Sequence, residues 1–147
     1  MIDDFSHGWQ DWYSLSASNP HHWEFSTRKL NDPKWQGQPA QKLTLEVQTE
    51  NENELVIVLT ENFFRPYRGK AQEFVAVVKL NGGKPETVSL TPDDFFTTEG
   101  EKLSSWKHVD LLSLRAYHDK SGALLGSKSW TGPQPKFYEL RWATGQR

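Results

Sequence analysis

Three runs of alternating apolar residues between positions 43 and 80 constrain the fold of this chain more than any other feature. Residues 43–47 read Leu-Thr-Leu-Glu-Val, residues 55–59 read Leu-Val-Ile-Val-Leu, and residues 74–80 read Phe-Val-Ala-Val-Val-Lys-Leu. Successive side chains of a strand point to opposite faces, and Val and Ile suit a pleated surface, so each run predicts a β-strand. The second and third runs are apolar on both faces, which predicts that they lie in the middle of sheets.

The rest of the chain adds further short strands, separated by turn residues. Strands are predicted over residues 22–27, 87–90, 109–117 and 137–142. Asn81-Gly82-Gly83 is a hairpin signal between the run at 74–80 and the return at 87–90. No segment carries apolar residues at helical spacing over three turns. We therefore predict an all-β fold, an antiparallel two-sheet β-sandwich that forms a single domain over residues 1–147.

Composition limits the partners of this domain. A length of 147 residues suits one domain with a substantial core, and the absence of cysteine excludes a disulfide framework and thiolate metal sites. The net charge is −2, with the two signs interspersed, so no nucleic-acid partner is indicated. The chain has no apolar run of the length that a membrane span needs. We expect a monomer without nucleic-acid or membrane partners.

The segment at residues 61–70, between the second and third runs, combines rings and cations. Three of its ten residues are aromatic and three are basic: Phe63, Phe64, Tyr67, Arg65, Arg68 and Lys70. Such a mixture is unusual on a surface that binds nothing, so we interpret it as a binding loop. The alternative is a structural loop in which Arg65 and Arg68 stack on Tyr67. In either case we expect one of the two phenylalanines to lie in the core.

The strand at 109–117 offers a second candidate surface. Alternation puts Leu112, Leu114 and Ala116 on one face and Arg115 and Tyr117 on the other. If the first set points inward, Arg115 and Tyr117 stand on the exposed sheet face. Glu73, directly before the run at 74–80, and Lys79 within it would share that face. It could bind a glycan, or it could be a solvated face of paired charges.

Seven tryptophans are more than a core of this size usually needs. Those placed in predicted strands are expected to be core residues: Trp12, Trp23 and Trp142. Trp106 precedes a strand and is interpreted as a lid. Trp35 and Trp130 lie in loops rich in Gly and Pro, where each could brace the loop or present its ring to a sugar.

Several of these features occur in an order that resembles the galactose-binding-like β-sandwiches. The resemblance covers nearly the whole chain and rests on Asp4-Phe5, Trp12, Leu43-x-Leu-x-Val, Leu55-x-Ile-x-Leu, Phe74-x-Ala-x-Val, Val88-x-Leu, Phe95, Trp106 before Val109, and Phe137-x-x-Leu-Arg-Trp. The ending Leu140-Arg141-Trp142 is most similar to non-catalytic carbohydrate-binding modules attached to polysaccharide-degrading enzymes. The resemblance implies a jelly roll of eight to ten strands that binds a glycan on its concave face or its loop rim. It also implies, for many members, a structural calcium near the N-terminal strand, closed by a carboxylate on the last strand. Here the corresponding residue is Glu139, one position off register.

The functional prediction is a non-catalytic carbohydrate-binding module that targets an attached glycoside hydrolase or lyase to its polysaccharide. The polysaccharide is expected to be anionic or rich in galactose. The protein is expected to be secreted, periplasmic or at the cell surface as part of a larger protein, and no cofactor is required beyond the calcium that the resemblance implies. The predicted ligand-binding residues are Phe64, Arg65, Tyr67, Arg68, Glu73, Arg115, Tyr117 and Trp130.

Two alternatives stay open at this point. A small jelly-roll polysaccharide lyase would use Arg115, Tyr117 and His118 as neutraliser and base. The other alternative is a spacer or protein-interaction sandwich without a sugar site. The chain contains no Gly-x-Ser-x-Gly, no phosphate-binding Gly loop and no His-Glu-x-x-His, so the sequence does not favour an enzyme.

Overall fold

The protein is a two-sheet antiparallel β-sandwich, as the alternating runs predict. The computed structural model describes residues 1–6, 12–14, 23–116 and 130–144. Its eight strands are β1 (Tyr13–Ser14), β2 (Glu24–Thr27), β3 (Gln41–Gln48), β4 (Asn53–Glu61), β5 (Gln72–Leu80), β6 (Glu86–Leu90), β7 (Val109–Arg115) and β8 (Lys136–Thr144). One sheet has the order β1-β2-β7-β4-β5 and the other the order β6-β3-β8.

The strand order confirms one prediction about sheet position and corrects two others. β4 lies between β7 and β5, so its predicted central position is confirmed. β5 is instead an edge strand; on its outer face Val75 is buried, whereas Val77 is 40% exposed. The backbone of Val75 exchanges hydrogen bonds with Phe96, which forms an isolated β-bridge at this edge. The predicted hairpin after β5 is also wrong, because β5 and β6 belong to different sheets. Gly82 and Gly83 have φ of 86° and 89°, which specifies a tight turn but not the pairing of the strands it joins.

Apolar side chains from both sheets meet between them and form one large core. Leu43, Leu45 and Val47 of β3 are at most 1% exposed, and Leu55, Ile57 and Leu59 of β4 are fully buried. On β7, the inward row of Leu112, Leu114 and Ala116 is confirmed. Burial of these rows supplies most of the stabilising free energy of a fold of this kind.

The tryptophans are mostly structural. Trp12 and Trp23 belong to the core, as predicted, and Trp142 packs against it. Trp106 is only 2% exposed and donates its Nε1–H to the backbone oxygen of Gln41 at 2.9 Å, so its interpretation as a lid is wrong. Trp130 is 1% exposed, and its ring meets that of Trp23 edge-on, with centroids 5.0 Å apart.

Two β-bulges interrupt the alternation of side chains. In β7, Leu111 pairs with Thr60 but Val109 pairs with Glu61, so Asp110 is an extra residue. In β8, Phe137 pairs with Val47 and Glu139 with Glu46, so Tyr138 is extra. A bulge redirects the side chains that precede it. Consequently Val109 and Leu112 both point inward, and Phe137 and Leu140 do the same.

The register brings several loops to the same end of the sandwich. The end of β4 lies between the starts of β5 and β7, so the segments 62–71 and 104–108 are neighbours. The segment 28–40 is tied to the same end because Trp142 Nε1 donates to the backbone oxygen of Trp35 at 2.7 Å. Gly37 is needed in this segment, since a Cβ there would lie 2.7 Å from the ring of Trp142.

The helical segments of the described residues are single 3₁₀ turns: Lys29–Asn31, Pro33–Trp35, Pro66–Arg68 and Pro92–Asp94. None of the helices in this part of the chain has the length and apolar character needed to cross a bilayer.

Replacing Trp130 with alanine should lower the free energy of unfolding by about 3–5 kcal/mol, because it removes a large buried ring and leaves a cavity beside Trp23. Urea unfolding followed by circular dichroism measures this loss. The exposed Tyr67 provides the comparison, since Tyr67→Ala should change stability by no more than about 0.5 kcal/mol. A loss below about 1 kcal/mol for Trp130→Ala would contradict its assignment to the core.

Candidate functional site

The loop between β4 and β5 presents its aromatic rings to solvent. Tyr67 is 82% exposed, Phe63 is 53% exposed and Phe64 is 36% exposed. Phe63 and Phe64 meet edge to face, with ring centroids 4.9 Å apart. The prediction that one of the two phenylalanines lies in the core is therefore wrong. Three exposed rings within five residues form an apolar projection of the kind that usually marks a binding site.

A buried carboxylate holds the base of this loop. Asp110 is 4% exposed, and its two carboxylate oxygens accept the backbone N–H groups of Phe63 and Phe64, each at 3.0 Å. The bulge in β7 provides Asp110 for this role, because it leaves that residue outside the ladder. Charged hydrogen bonds to backbone N–H groups are stronger than neutral ones, so the aromatic pair has a fixed base.

Three segments are hydrogen-bonded to one another at this end of the sandwich. Arg65 donates from one terminal nitrogen to Asn31 Oδ1 at 2.8 Å and from the other to the backbone oxygen of Asn31 at 3.2 Å. Gln36 Nε2 donates to the backbone oxygen of Lys107 at 2.9 Å. Asn62 N–H donates to the backbone oxygen of His108 at 3.1 Å. We call the surface formed by residues 28–40, 62–71 and 104–108 the three-loop surface.

An open groove borders the three-loop surface. Its volume is about 410 Å³, and it lies between Pro39, Ala40, Pro92, Ser105 and Trp106, among others. Pro39 and Ala40 belong to the first segment of the three-loop surface and Ser105 to the third. The size is within the range of small-ligand sites, and the lining combines apolar rings with serine hydroxyls.

The second predicted surface, on the outer face of the five-stranded sheet, is organised around an ion pair. Arg115 Nε lies 3.2 Å from Glu24 Oε2, and a terminal nitrogen lies 3.8 Å from Glu73 Oε2. Because β4 separates β7 from β5, the Arg115 side chain must cross β4 to reach Glu73. Val56 and Val58, on that face of β4, are fully buried. Arg115 itself is 5% exposed, so it is a paired charge within the sheet face rather than an exposed ligand contact.

The structure separates the predicted binding residues into four groups. Those on the three-loop surface are Phe64, Arg65, Tyr67 and Arg68. Glu73 and Arg115 form the ion pair on the sheet face. Trp130 is a buried core residue, so its prediction as a ligand contact is wrong; the alternative of a bracing residue is the one observed. Tyr117 and His118 lie outside the described residues.

Sequence reasoning missed two residues that organise the site. Asp110 appears in the sequence as one polar residue in a predicted strand, and only the bulge explains its direction. Asn31 accepts from Arg65 across 34 positions of sequence, a separation for which the sequence carries no signal.

The carboxylates near the N-terminal segment and the last strand are engaged in other contacts. Asp3 and Leu140 form a β-bridge, so the two segments do meet. The Asp3 carboxylate accepts the Trp12 Nε1–H at 2.6 Å, and Glu139 pairs with Arg141 at 2.9 Å. Within residues 1–6, 12–14, 23–116 and 130–144, no group of three His, Cys, Asp or Glu side chains is suited to a metal. The carboxylates of Asp3 and Glu139 are thus already engaged within the protein.

Near the loop, the carboxyl group of Glu61 has a pKa that is shifted from its ordinary value. Burial raises the pKa of its carboxyl group, His108 acts in the lowering direction, and Asp110 adds to the rise. Glu61 ends β4, one residue before Asn62, which has a φ of 58° and begins the loop. The ionised form of Glu61 is therefore disfavoured at the base of the three-loop surface.

Comparisons of the chain with protein-family models, with curated proteins and with solved structures find no match.

Asp110→Asn should lower stability by about 1–3 kcal/mol, because the amide nitrogen cannot accept the second N–H group of the loop. The loosened loop should also be cut faster by trypsin after Arg68 and Lys70, as measured by mass spectrometry under native conditions. Asp93→Asn, in an exposed turn, is the control and should change neither measurement. Unchanged cleavage in Asp110→Asn would show that the carboxylate does not hold the loop.

Glu61→Gln should raise the melting temperature at pH 7 to 8 and leave it unchanged near pH 3. A carboxyl group whose pKa is raised by folding contributes stability that is fully present below its unfolded pKa and is lost as the pH rises through the folded pKa. The neutral amide avoids that loss. Thermal denaturation between pH 3 and 8 tests this, with Glu99→Gln at an exposed position as the control. A variant that is less stable than the wild type at pH 8 would contradict the sign.

Proposed function

We propose that this protein is a non-catalytic carbohydrate-binding module that binds a polysaccharide at its three-loop surface. The observation that carries the proposal is the exposure of Phe63, Phe64 and Tyr67 on a loop whose base is fixed by Asp110. Flat rings suit the apolar faces of pyranose units, and neighbouring forked donors such as Arg68 suit their hydroxyl groups. The function also implies an attached glycoside hydrolase or lyase, and a secreted or cell-surface location.

The fixed loop base favours binding because it limits the cost of ordering. A flexible loop loses conformational freedom when it binds, which weakens affinity. The Asp110 bonds and the contact of Arg65 with Asn31 set the loop before any ligand arrives. The rings are thus presented in a fixed arrangement, and the adjoining groove extends the surface beyond the loop.

The three-loop surface is a better candidate than the outer face of the five-stranded sheet. Arg115 is occupied by Glu24 and Glu73, and the valines beneath it are buried. A sugar that used Arg115 would have to break this ion pair, leaving two carboxylates without their shared cation. A sugar that stacks on the exposed ring of Tyr67 breaks no ion pair.

The lyase alternative receives less support from the described geometry. It would need Arg115 as a neutraliser, yet that guanidinium already lies between two carboxylates. A ligand-free spacer gives no reason for three exposed rings in one loop, and a protein-interaction sandwich stays the alternative that the polysaccharide panel tests. We therefore propose a binding module without catalytic activity, with affinity in the micromolar to millimolar range, or roughly −4 to −8 kcal/mol.

Tyr67→Ala should weaken binding to the preferred polysaccharide at least tenfold, about 1.4 kcal/mol, because it removes the most exposed stacking ring. Affinity electrophoresis against a panel of neutral and acidic polysaccharides identifies that ligand, and calorimetry measures the loss. Tyr67→Phe keeps the ring and should retain most of the affinity.

Phe96→Ala is the matched control for this experiment. Phe96 is 38% exposed and pairs with Val75 at the edge of the five-stranded sheet, outside the three-loop surface. Its removal should leave binding unchanged. Loss of binding in Phe96→Ala but not in Tyr67→Ala would place the site at the edge of the sheet instead. If the wild-type protein binds no polysaccharide of the panel, carbohydrate binding is rejected.

A further inference from the structure

We infer that the polysaccharide bound at the three-loop surface is anionic, carrying carboxylate or sulfate groups along its chain. This inference rests on the proposed function and specifies its ligand class. It is carried by the net charge of the surface and by the absence of a described carboxylate within 4.0 Å of the three cations in the loop 62–71.

The three-loop surface is strongly basic in a chain that is acidic overall. Its three segments contain seven Lys and Arg residues and a single acidic residue, Asp32. They carry a net charge of +6 in a chain of net charge −2, so the remaining residues together carry −8. A concentration of one sign at one end creates a field that attracts ligands of the opposite sign. Charged neighbours limit this field: Asp3 pairs with Lys29 at 3.4 Å, Glu61 and Asp110 lie under the loop, and the adjoining segment 91–103 carries four acidic residues and one lysine.

The cations of the loop 62–71 differ in their pairing from the two described arginines outside the surface, whereas Lys29 of the segment 28–40 is paired with Asp3 at 3.4 Å. The two described arginines outside the surface are both in ion pairs, Arg115 with Glu24 and Glu73, and Arg141 with Glu139. Within the described part of the chain, no carboxylate lies within 4.0 Å of Arg65, Arg68 or Lys70. Arg65 contacts only the neutral acceptors of Asn31 among the described residues. Arg68 and Lys70, which are both exposed, are therefore available to an external anion, whereas Arg65 is held by Asn31.

The sequence of the loop alternates the two kinds of contact that an acidic sugar offers. Tyr67 lies between Arg65 and Arg68, and Lys70 follows two positions later. An acidic pyranose has an apolar ring face and a charged substituent at its edge. An exposed ring followed by the exposed cations Arg68 and Lys70 matches this combination, because the guanidinium fork binds carboxylate and sulfate oxygens in pairs.

The test compares polysaccharides that share a backbone and differ only in charge. Polygalacturonate is paired with its fully methyl-esterified form, and κ-carrageenan with its desulfated form; the two pairs distinguish carboxylate from sulfate. We expect the charged member of at least one pair to bind at least tenfold more tightly than its neutral partner. Raising the ionic strength from about 0.15 M to 1 M should abolish most of that difference, since screening shortens from about 8 Å to 3 Å.

Matched charge reversals distinguish a site from general attraction. Arg68→Glu should weaken binding of the charged polysaccharide about tenfold. Lys84→Glu makes the same change in net charge in the turn at the opposite end of the sandwich, and should weaken binding less than twofold. Lys70→Glu repeats the test within the loop, with the melting temperature confirming that each variant is folded.

Each outcome has a definite meaning. Equal affinity for charged and neutral partners would overturn the inference and leave the proposed function standing. Equal losses in Arg68→Glu and Lys84→Glu would also overturn it, because they would indicate nonspecific attraction. Binding to phosphatidylserine vesicles without binding to any polysaccharide would overturn both proposals in favour of an anionic lipid surface. Failure to bind any member of the panel or the vesicles would reject both.

Discussion

The register between β4 and β7 determines both the core and the candidate site. It places Ile57 opposite Leu114 and Leu59 opposite Leu112, so that the inward rows of two central strands coincide. Near the end of the pair, the register shifts by one residue, and Asp110 leaves the ladder. The same shift turns Val109 into the core. A single irregularity thus completes the apolar interior and supplies the carboxylate on which the aromatic loop rests.

The energetic cost of burying charge explains how ionic groups are distributed. An ionised group removed from water must be paired or hydrogen-bonded. Arg115 and Asp110 are both at most 5% exposed, and both satisfy this requirement, the first with carboxylates and the second with backbone N–H groups. Arg68 is exposed and has no such requirement. The cations that keep their solvent contact are also those that an incoming ligand can reach.

The aromatic rings of the loop are exposed, whereas the tryptophans of the core are buried. Trp23, Trp106 and Trp130 are at most 2% exposed, and their large area contributes to stability. Phe63 and Tyr67 keep most of their area in water, where they contribute little to stability. A loop that exposes such residues, while a buried carboxylate fixes its backbone, is organised for contact with another molecule.

The sequence by itself determined the all-β class, the positions of most strands, the inward rows and the unusual composition of the loop, because alternation and composition are local properties. Tertiary structure alone decided that β5 lies at an edge, that the turn at Gly82 and Gly83 joins two sheets, and that Trp130 is buried. It also decided that Asp110 supports the loop and that Glu73 pairs with Arg115. Each of these depends on which distant strands are neighbours and on a one-residue shift in their register, and neither property is encoded in a short stretch of residues.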